Sequence, residues 1–424
     1  MPGSTRREVI ATGVGVVTAV GQGKAAFTDA LMQGHGAFAV MQRPGRQLPR
    51  AGTAPQPAPG SPGETRFLGA ELVPLTLPAA LTPARRRTAS LSAQAAITCL
   101  HEAWQEAQLG DVDPVRIGLV VGGSNVQQRE LVATHDAYRN RLHYLRPSYS
   151  LSFMDSDLCG LCTELFGIRG LAFTAGGASA SGQLAVLQAH QLLQSDCIDV
   201  CIAIGALMDL SYWECQGFRA IGAMGSDRFA DRPALACRPF DRDRDGFIYG
   251  ECSAAIVLER ADRPGRTGVA PYARLLGGAI RMDANRNADP SLDGEISAIR
   301  GALEHAGVPA ASIDYVNPHG TGSPRGDETE VEALHRTGLS HAYINATKSI
   351  TGHGLSAAGA VEIAATLLQM RTGHVHPSPN LDNPMDDRCN WVQHAAIPHQ
   401  IHRAVKLSMG FGGLNTALCL EAIR

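Results

Sequence analysis

What this chain lacks first is an excess of charge. Across 424 residues, 37 basic and 40 acidic side chains leave a net charge of −3. That gives no electrostatic ground for binding nucleic acid or an anionic membrane surface. No apolar run reaches the roughly 18–20 residues that a membrane-spanning helix needs. The opening segment Met1–Gly13 carries no long apolar core of the kind a secretory leader has, so a cytoplasmic protein is expected. Cys159-Gly-Leu-Cys162 has the spacing of a zinc or redox pair, but no second pair stands at a suitable distance and no βαβ pattern surrounds it. The ten cysteines lie scattered in apolar segments such as Asp199-Val-Cys201-Ile-Ala-Ile and Thr416-Ala-Leu-Cys419-Leu. Buried free thiols in a reducing compartment are the expectation. Gly13-Val-Gly15 lacks the third glycine of a dinucleotide fingerprint and the acidic residue about 20 positions on. Asp241-Arg-Asp-Arg-Asp-Gly246 mimics a calcium loop, yet Cys252 stands where the loop needs a bidentate glutamate, and Glu251 is one residue early.

What is present is an ordinary globular composition: 44% hydrophobic, 18% charged and 46 glycines. The length suffices for a large core and, taken alone, for two or three domains. Val9–Thr18 reads as a strand entering a glycine-rich turn. The segment Arg43–Glu64, with Pro44, Pro49, Pro55, Pro57, Pro59 and Pro62, cannot form regular helix or a central strand and reads as a surface loop. Helical spacing marks Ala89–Gln108, Gly182–Ser195 and Ala357–Met370. Buried strands are expected at Arg116–Gly123, Asp199–Gly205, Ile313–Asn317, Ala342–Asn345, Val405–Phe411 and Ala417–Ala422. Strands alternating with helices in both halves imply buried sheets covered by helices.

Three segments carry polar groups in glycine-rich settings: Thr174-Ala-Gly-Gly-Ala-Ser179-Ala-Ser-Gly182, His319-Gly-Thr-Gly-Ser323 and Lys348-Ser-Ile-Thr-Gly-His353. Ser179 falls at a loop-to-helix junction. A helix N-terminus can turn a cysteine into a thiolate, but its field, about 0.3–2 kcal/mol, cannot ionise a serine hydroxyl. A serine there either needs an adjacent general base or serves as a helix cap. His319 and His353 each follow a short apolar strand and stand among Gly, Thr or Ser; taken alone, each reads as a surface or hydrogen-bonded core histidine. Lys348 and Glu362 stand fourteen residues apart. They could form a surface pair worth under about 1 kcal/mol, but the setting Ala-Gly-Ala-Val-Glu362-Ile-Ala-Ala favours a buried one. Phe411 lies between Gly410 and Gly412-Gly413, where unusual dihedrals are open to the backbone. It reads as a core aromatic or a mobile gate. Arg85-Arg86-Arg87 offers a basic patch.

Taken together, these segments resemble the ketosynthase (β-ketoacyl-acyl carrier protein synthase) family. The likeness extends from Thr12-Gly-x-Gly-x-Val-Thr18 through Arg238-Pro-Phe-Asp…Gly250-Glu251 to Gly410-Phe-Gly-Gly-x-Asn415. In that family a cysteine occupies the place of Ser179, and no cysteine lies between Cys162 and Cys197 to replace it. A register two residues on would make Ser181 the counterpart, but the glycine that follows would then be misplaced. The resemblance implies an α/β thiolase fold, pseudo-duplicated in five layers α/β/α/β/α, with an N-terminal half 1–262 carrying Ser179 and a C-terminal half 263–424 carrying His319, Lys348 and His353. It implies that His319 and His353 form an oxyanion hole, that Lys348 and Glu362 brace them, and that Phe411 is the gate.

Serine for cysteine with both histidines kept, in Phe173–Gly182 and after Phe153-Met-Asp-Ser-Asp-Leu-Cys-Gly160, resembles the decarboxylases of polyketide β-branching cassettes. The implied reaction converts malonyl-acyl carrier protein to acetyl-acyl carrier protein without condensation. The acetyl unit would pass to a partner enzyme resembling hydroxymethylglutaryl-CoA synthase. Methylmalonyl is not distinguished from malonyl. No cofactor is expected to be bound permanently; the phosphopantetheine arm of the carrier protein would bring the substrate. A homodimer is implied. The alternatives are a condensing enzyme with Ser179 as nucleophile, a non-catalytic partner like a chain-length factor, and a carrier-binding module using Arg85–Arg87.

Overall fold

Two five-stranded sets with one topology form the frame of the molecule. The computed structural model describes residues 7–48, 65–263 and 268–423. In the first set, β1 (Val9–Thr18), β2 (Ile117–Gly122), β3 (Ala172–Ala175), β4 (Val200–Gly205) and β5 (Cys252–Arg260) are ordered β1-β5-β4-β2-β3. In the second, β6 (Ala273–Met282), β7 (Tyr315–Asn317), β8 (Tyr343–Ile344), β9 (Arg403–Gly410) and β10 (Leu414–Ala422) are ordered β6-β10-β9-β7-β8. The pairings also repeat: the first two contacts in each order are antiparallel and the last two parallel. The sets join only through β1 and β6, where Ile10 pairs with Arg274 and Ala11 with Ala273. The duplication that residue identities hide is therefore explicit in the topology.

The strands form where apolar and β-branched residues run continuously. β2 (Ile-Gly-Leu-Val-Val-Gly) and β4 (Val-Cys-Ile-Ala-Ile-Gly) are buried at every position, as strands covered on both faces must be. Helix α1 (Leu91–Glu106) follows β1 and covers one outer face, with the Ser90 hydroxyl accepting from the Ala93 backbone N–H as its cap. Helices α3 (Leu292–Ala306) and α4 (Pro324–Arg336) cover the other. Between the sheets lie α2 (Ser181–Leu192) and α5 (Ala358–Thr372), which occupy corresponding places in the two repeats. They cross at backbone contact: a Cβ on Gly182 would fall 2.7 Å from the Ala360 nitrogen, and one on Gly359 2.6 Å from the Gln183 nitrogen. The layers are thus helix, sheet, helix pair, sheet, helix.

One sequence expectation changes. Val9–Thr18 does not enter a turn at its glycines; β1 runs straight through them. Gly13 and Gly15 are there because α1 lies directly on the strand: a Cβ would stand 2.5 Å from the Ala103 carbonyl oxygen and 1.9 Å from that of Cys99. In the proline-rich segment, residues 43–48 form a loop and 49–64 lie outside the described residues. No described helix is long and apolar enough to cross a membrane.

Candidate active site

The two central helices begin at one place, and the polar residues of both repeats converge there. After β3 the chain turns through Gly176-Gly177-Ala178, and Ser179 sits in the short turn Ala178–Ala180 just before α2. After β8 it passes Lys348 and His353 before α5. Ser179 Oγ lies 3.0 Å from His353 Nε2. Two non-glycine residues flanking this contact take left-handed backbone angles, Ala178 at φ +46° and Leu355 at φ +50°. Such conformations cost about 1–3 kcal/mol each and gather at functional sites.

Ser179 does not cap the helix. Ser181, fully buried at the first helical position, ties the preceding turn: its hydroxyl accepts from the Gly177 N–H at 2.9 Å and donates to the Ala178 carbonyl at 2.7 Å. Strand β9 delivers Gly410 to the same turn. A Cβ on Gly410 would lie 2.3 Å from the Gly177 oxygen, so only glycine allows this approach.

His319 follows β7 and faces His353, ring centroids 5.5 Å apart and planes at 84°. The Lys348 ammonium is 3.4 Å from His319 Nδ1 and also donates to the His319 carbonyl. An ammonium can only donate, so Nδ1 accepts and the neutral ring carries its proton on Nε2. Glu330 holds the loop from below, accepting from the backbone N–H groups of His319 at 2.5 Å and Gly320 at 2.8 Å. Burial pushes both imidazoles well below the ordinary histidine range, and the nearby ammonium of Lys348 adds to the shift. Both are neutral at physiological pH. His353 rests edge-on against Phe247 at 5.2 Å, and its Nδ1 has no hydrogen-bond partner among the described residues.

Lys348 forms a buried ion pair with Glu362, both about as buried as side chains become (1% and 2% exposed). A second lysine shares that carboxylate. Lys406, on β9 and fully buried, lies 2.8 Å from Glu362 Oε2 and 3.1 Å from Ser408 Oγ. Sequence reasoning missed Lys406, although a signal existed: the chain has only three lysines, Lys24, Lys348 and Lys406. Two of them meet at one glutamate. Burial pushes the Lys406 ammonium down to about 8, with Glu362 opposing and Lys348 adding to the shift.

Ser179, His319 and His353 line one cavity of about 410 Å³, with Phe247, Met409 and the carboxyl groups of Glu295, Asp327 and Glu330. The volume suits a small acyl group and its thioester. Ile221 and Phe411 stand at its mouth, 57% and 40% exposed, and the Phe411 ring packs 6.1 Å from Phe218. Gly412 (φ +91°) and Gly413 (φ +82°) supply the left-handed turn behind Phe411.

The features set aside in the sequence have structural explanations. All ten cysteines are free and nine are buried; burial pushes the thiols of Cys159 and Cys162 up. Asp241 pairs with Arg238 at 2.9 Å, Asp243 with Arg228 at 3.4 Å, and Asp245 accepts from Ser226 at 3.0 Å, so the calcium-like carboxylates are turned to separate partners. Among the described residues, His335, Asp386 and Cys389 are the one close group of potential metal ligands, and Arg388 occupies that aspartate. None of the three lines the cavity.

Models of the "Beta-ketoacyl synthase, N-terminal domain" and "Beta-ketoacyl synthase, C-terminal domain" match residues 6–263 and 272–382. The chain is 56% identical over 416 residues to PksF, the polyketide biosynthesis malonyl-ACP decarboxylase of Bacillus subtilis, covering 98% of this chain and 97% of that protein. Its fold is similar to a beta-ketoacyl synthase from Burkholderia phymatum at TM-score 0.85 and 26% identity, covering 99% of this chain and all of that one. It is also similar to the ishigamide ketosynthase/chain length factor at TM-score 0.83 and 23% identity, a likeness of fold.

Proposed function

This chain belongs to the beta-ketoacyl synthase family, and from that premise we propose that it decarboxylates malonyl-acyl carrier protein to acetyl-acyl carrier protein in polyketide biosynthesis, without forming a carbon–carbon bond. The name of the relative sharing 56% identity supports this reaction. The observation that carries the reading is the Ser179–His353 contact. A hydroxyl sits where a nucleophile would be, against a histidine that no third group among the described residues orients at Nδ1. A serine nucleophile needs a base that will take its proton. His353, pushed well below its ordinary range by burial, is a poor one. Nothing in the site makes Ser179 an acyl carrier, and without an acyl-enzyme there is nothing for an enolate to attack.

The remaining groups suit the first half of a condensation. Malonyl on the phosphopantetheine arm passes Phe411 and Ile221 into the cavity. As the carbon–carboxylate bond breaks, negative charge moves to the thioester oxygen. His319 Nε2–H and His353 hold that oxygen, and preorganised donors in a buried cavity cost no reorganisation as the charge develops. Lys348 fixes the His319 tautomer, Glu362 holds Lys348, and Ser179 orients the substrate through its hydroxyl. The two halves divide at 262/263: the first brings Ser179, the second His319, Lys348 and His353.

The carrier protein is the macromolecular partner, and the exposed Arg86 and Arg87 are its docking candidates. The protein works as a cytoplasmic homodimer. Free thiols suit that compartment. The outer edge of β3, unpaired among the described residues, and the exposed Leu142, Tyr144, Leu151, Phe153 and Met154 suit a subunit contact. The product serves a partner resembling hydroxymethylglutaryl-CoA synthase in β-branching. Intact mass spectrometry of malonyl-loaded carrier protein tests the reading. Wild-type protein should convert malonyl to acetyl with loss of one CO₂, and His319→Ala should slow this by on the order of 10²–10³. Unchanged carrier mass with wild type, or a β-ketoacyl product, overturns it.

A further inference from the structure

Release of CO₂ leaves an enolate, and an enolate becomes acetyl only when its carbon takes a proton. Condensation would consume the enolate on a second acyl group; decarboxylation alone calls for an acid. The carboxyls lining the cavity are mostly committed. Glu330 accepts from the backbone N–H groups of His319 and Gly320, and Asp327 from those of Phe240 at 2.7 Å and Gly322 at 3.1 Å. Asp283 accepts from Asn415 Nδ2 at 2.8 Å, and Asp289 pairs with Arg325 at 2.9 Å near the exposed rim. Glu295 differs from all of these. It is 2% exposed, lines the cavity, and its Oε2 has no hydrogen-bond partner among the described residues.

The geometry points to Glu295 as the acid that protonates the enolate carbon, directly or through one water. The inference rests on the decarboxylase reading. Burial raises the Glu295 carboxyl well above the usual carboxylate range, and Glu330, Asp283 and Asp327 raise it further. These are the charged groups facing it, from α4 and from the end of β6; the cations nearby, Arg244 at 3.8 Å from Asp327 and Arg325 on Asp289, are taken up by those neighbours. Both effects favour the neutral carboxyl over the carboxylate. In that form it does not repel the malonyl carboxylate. The step balances: the bond from the α-carbon to the carboxylate breaks, its electron pair enters the enolate, and CO₂ leaves. The enolate carbon then bonds to the Glu295 proton, and the resulting carboxylate takes a proton back from water. One proton is consumed for each CO₂ released.

The test follows CO₂ and acetyl-carrier formation with Glu295→Gln and Glu295→Asp, both verified as folded by circular dichroism. General acids contribute about 10²–10⁴-fold. Glu295→Gln should release its first equivalent of CO₂ at close to the wild-type rate and then turn over about 10²-fold more slowly, with KM lowered along with kcat. Glu295→Asp, which keeps an acid, should recover much of the turnover. Wild-type turnover in Glu295→Gln, equal losses in both variants, or a first equivalent slowed as much as turnover overturns the assignment. Should Glu295→Gln fail to fold, Glu295→Asp and Glu295→Ala decide: the first should keep much of the turnover and the second should lose it while still releasing a first equivalent of CO₂. Absence of CO₂ with wild-type protein overturns the decarboxylase reading instead.

Discussion

Ser179 Oγ and His353 Nε2 are 3.0 Å apart although 174 residues separate them in the chain. The contact joins the loop after β3 to the loop after β8, and it decides what the serine can do. On the proposed reading, with one hydrogen bond and no orienting acid behind the histidine among the described residues, the hydroxyl positions the substrate and does not attack. Ser179→Ala should therefore keep decarboxylation within about tenfold of wild type, since a neutral hydrogen bond contributes about 0.5–1.5 kcal/mol. Initial rates of CO₂ release check this, and an acyl ester on Ser179 in the wild-type protein would contradict it.

Lys406 puts a second cation on Glu362, so the cluster beneath the two histidines carries net positive charge while both lysines are protonated. That field favours an enolate oxygen. With its ammonium pushed down to about 8, Lys406 loses its charge as pH rises, and the rate should fall through about pH 8. Lys406→Arg keeps a cation at any working pH and should move that limb upward. Lys406→Met should lose about tenfold at neutral pH, equivalent to about 1.4 kcal/mol of transition-state stabilisation. A pH–rate profile of the three proteins is the measurement.

His376 offers a stability test outside the cavity. It is fully buried, its Nδ1 bonded to the Pro377 carbonyl at 2.7 Å and its Nε2 3.0 Å from Thr347 Oγ1. Burial lowers it from 6.5 to about 4. Between those values the unfolded chain binds the proton and the folded one does not, so the contribution is complete above about pH 6.5 and is lost as pH falls. Going from pH 7 to pH 5, the stability advantage of wild type over His376→Gln should shrink by about 2 kcal/mol in urea unfolding. The raised carboxyls of Asp327 and Glu330 act in the opposite direction, but equally in both proteins.

Gly410→Ala should damage both stability and rate. Its methyl would meet the Gly177 carbonyl oxygen at 2.3 Å, a contact between two backbones with no flexible end to give way. Overpacking of this kind costs about 1–3 kcal/mol, and the displaced turn carries Ser179. Thermal unfolding and CO₂ release should fall together.

Much of this was readable before folding. The strands at 117–122 and 200–205 announce themselves as unbroken apolar runs, and the loops holding Ser179, His319 and His353 as polar residues set among glycines. Lys348 and Glu362 were legible because the glutamate sits inside an otherwise apolar helix. Glu295 carried the same signal and was passed over: it shares the stripe of Ala298, Ile299 and Ala302 on α3, all buried. Lys406 carried only the signal of its rarity, as one of three lysines, and its partner Glu362 becomes visible only in the fold. The glycines of β1 misled, since a turn and a closely packed helix both demand a residue without a side chain.

The shared topology has a consequence for how the site came to be asymmetric. Helices α2 and α5 are counterparts, and so are the loops that feed them, yet one loop presents a hydroxyl and the other a lysine and a histidine. Two identical halves would have produced two equal and mutually obstructing pockets at this crossing. By giving each loop a different chemistry, the chain makes one directional site, with the Ser179 hydroxyl of one repeat set against the His353 ring of the other.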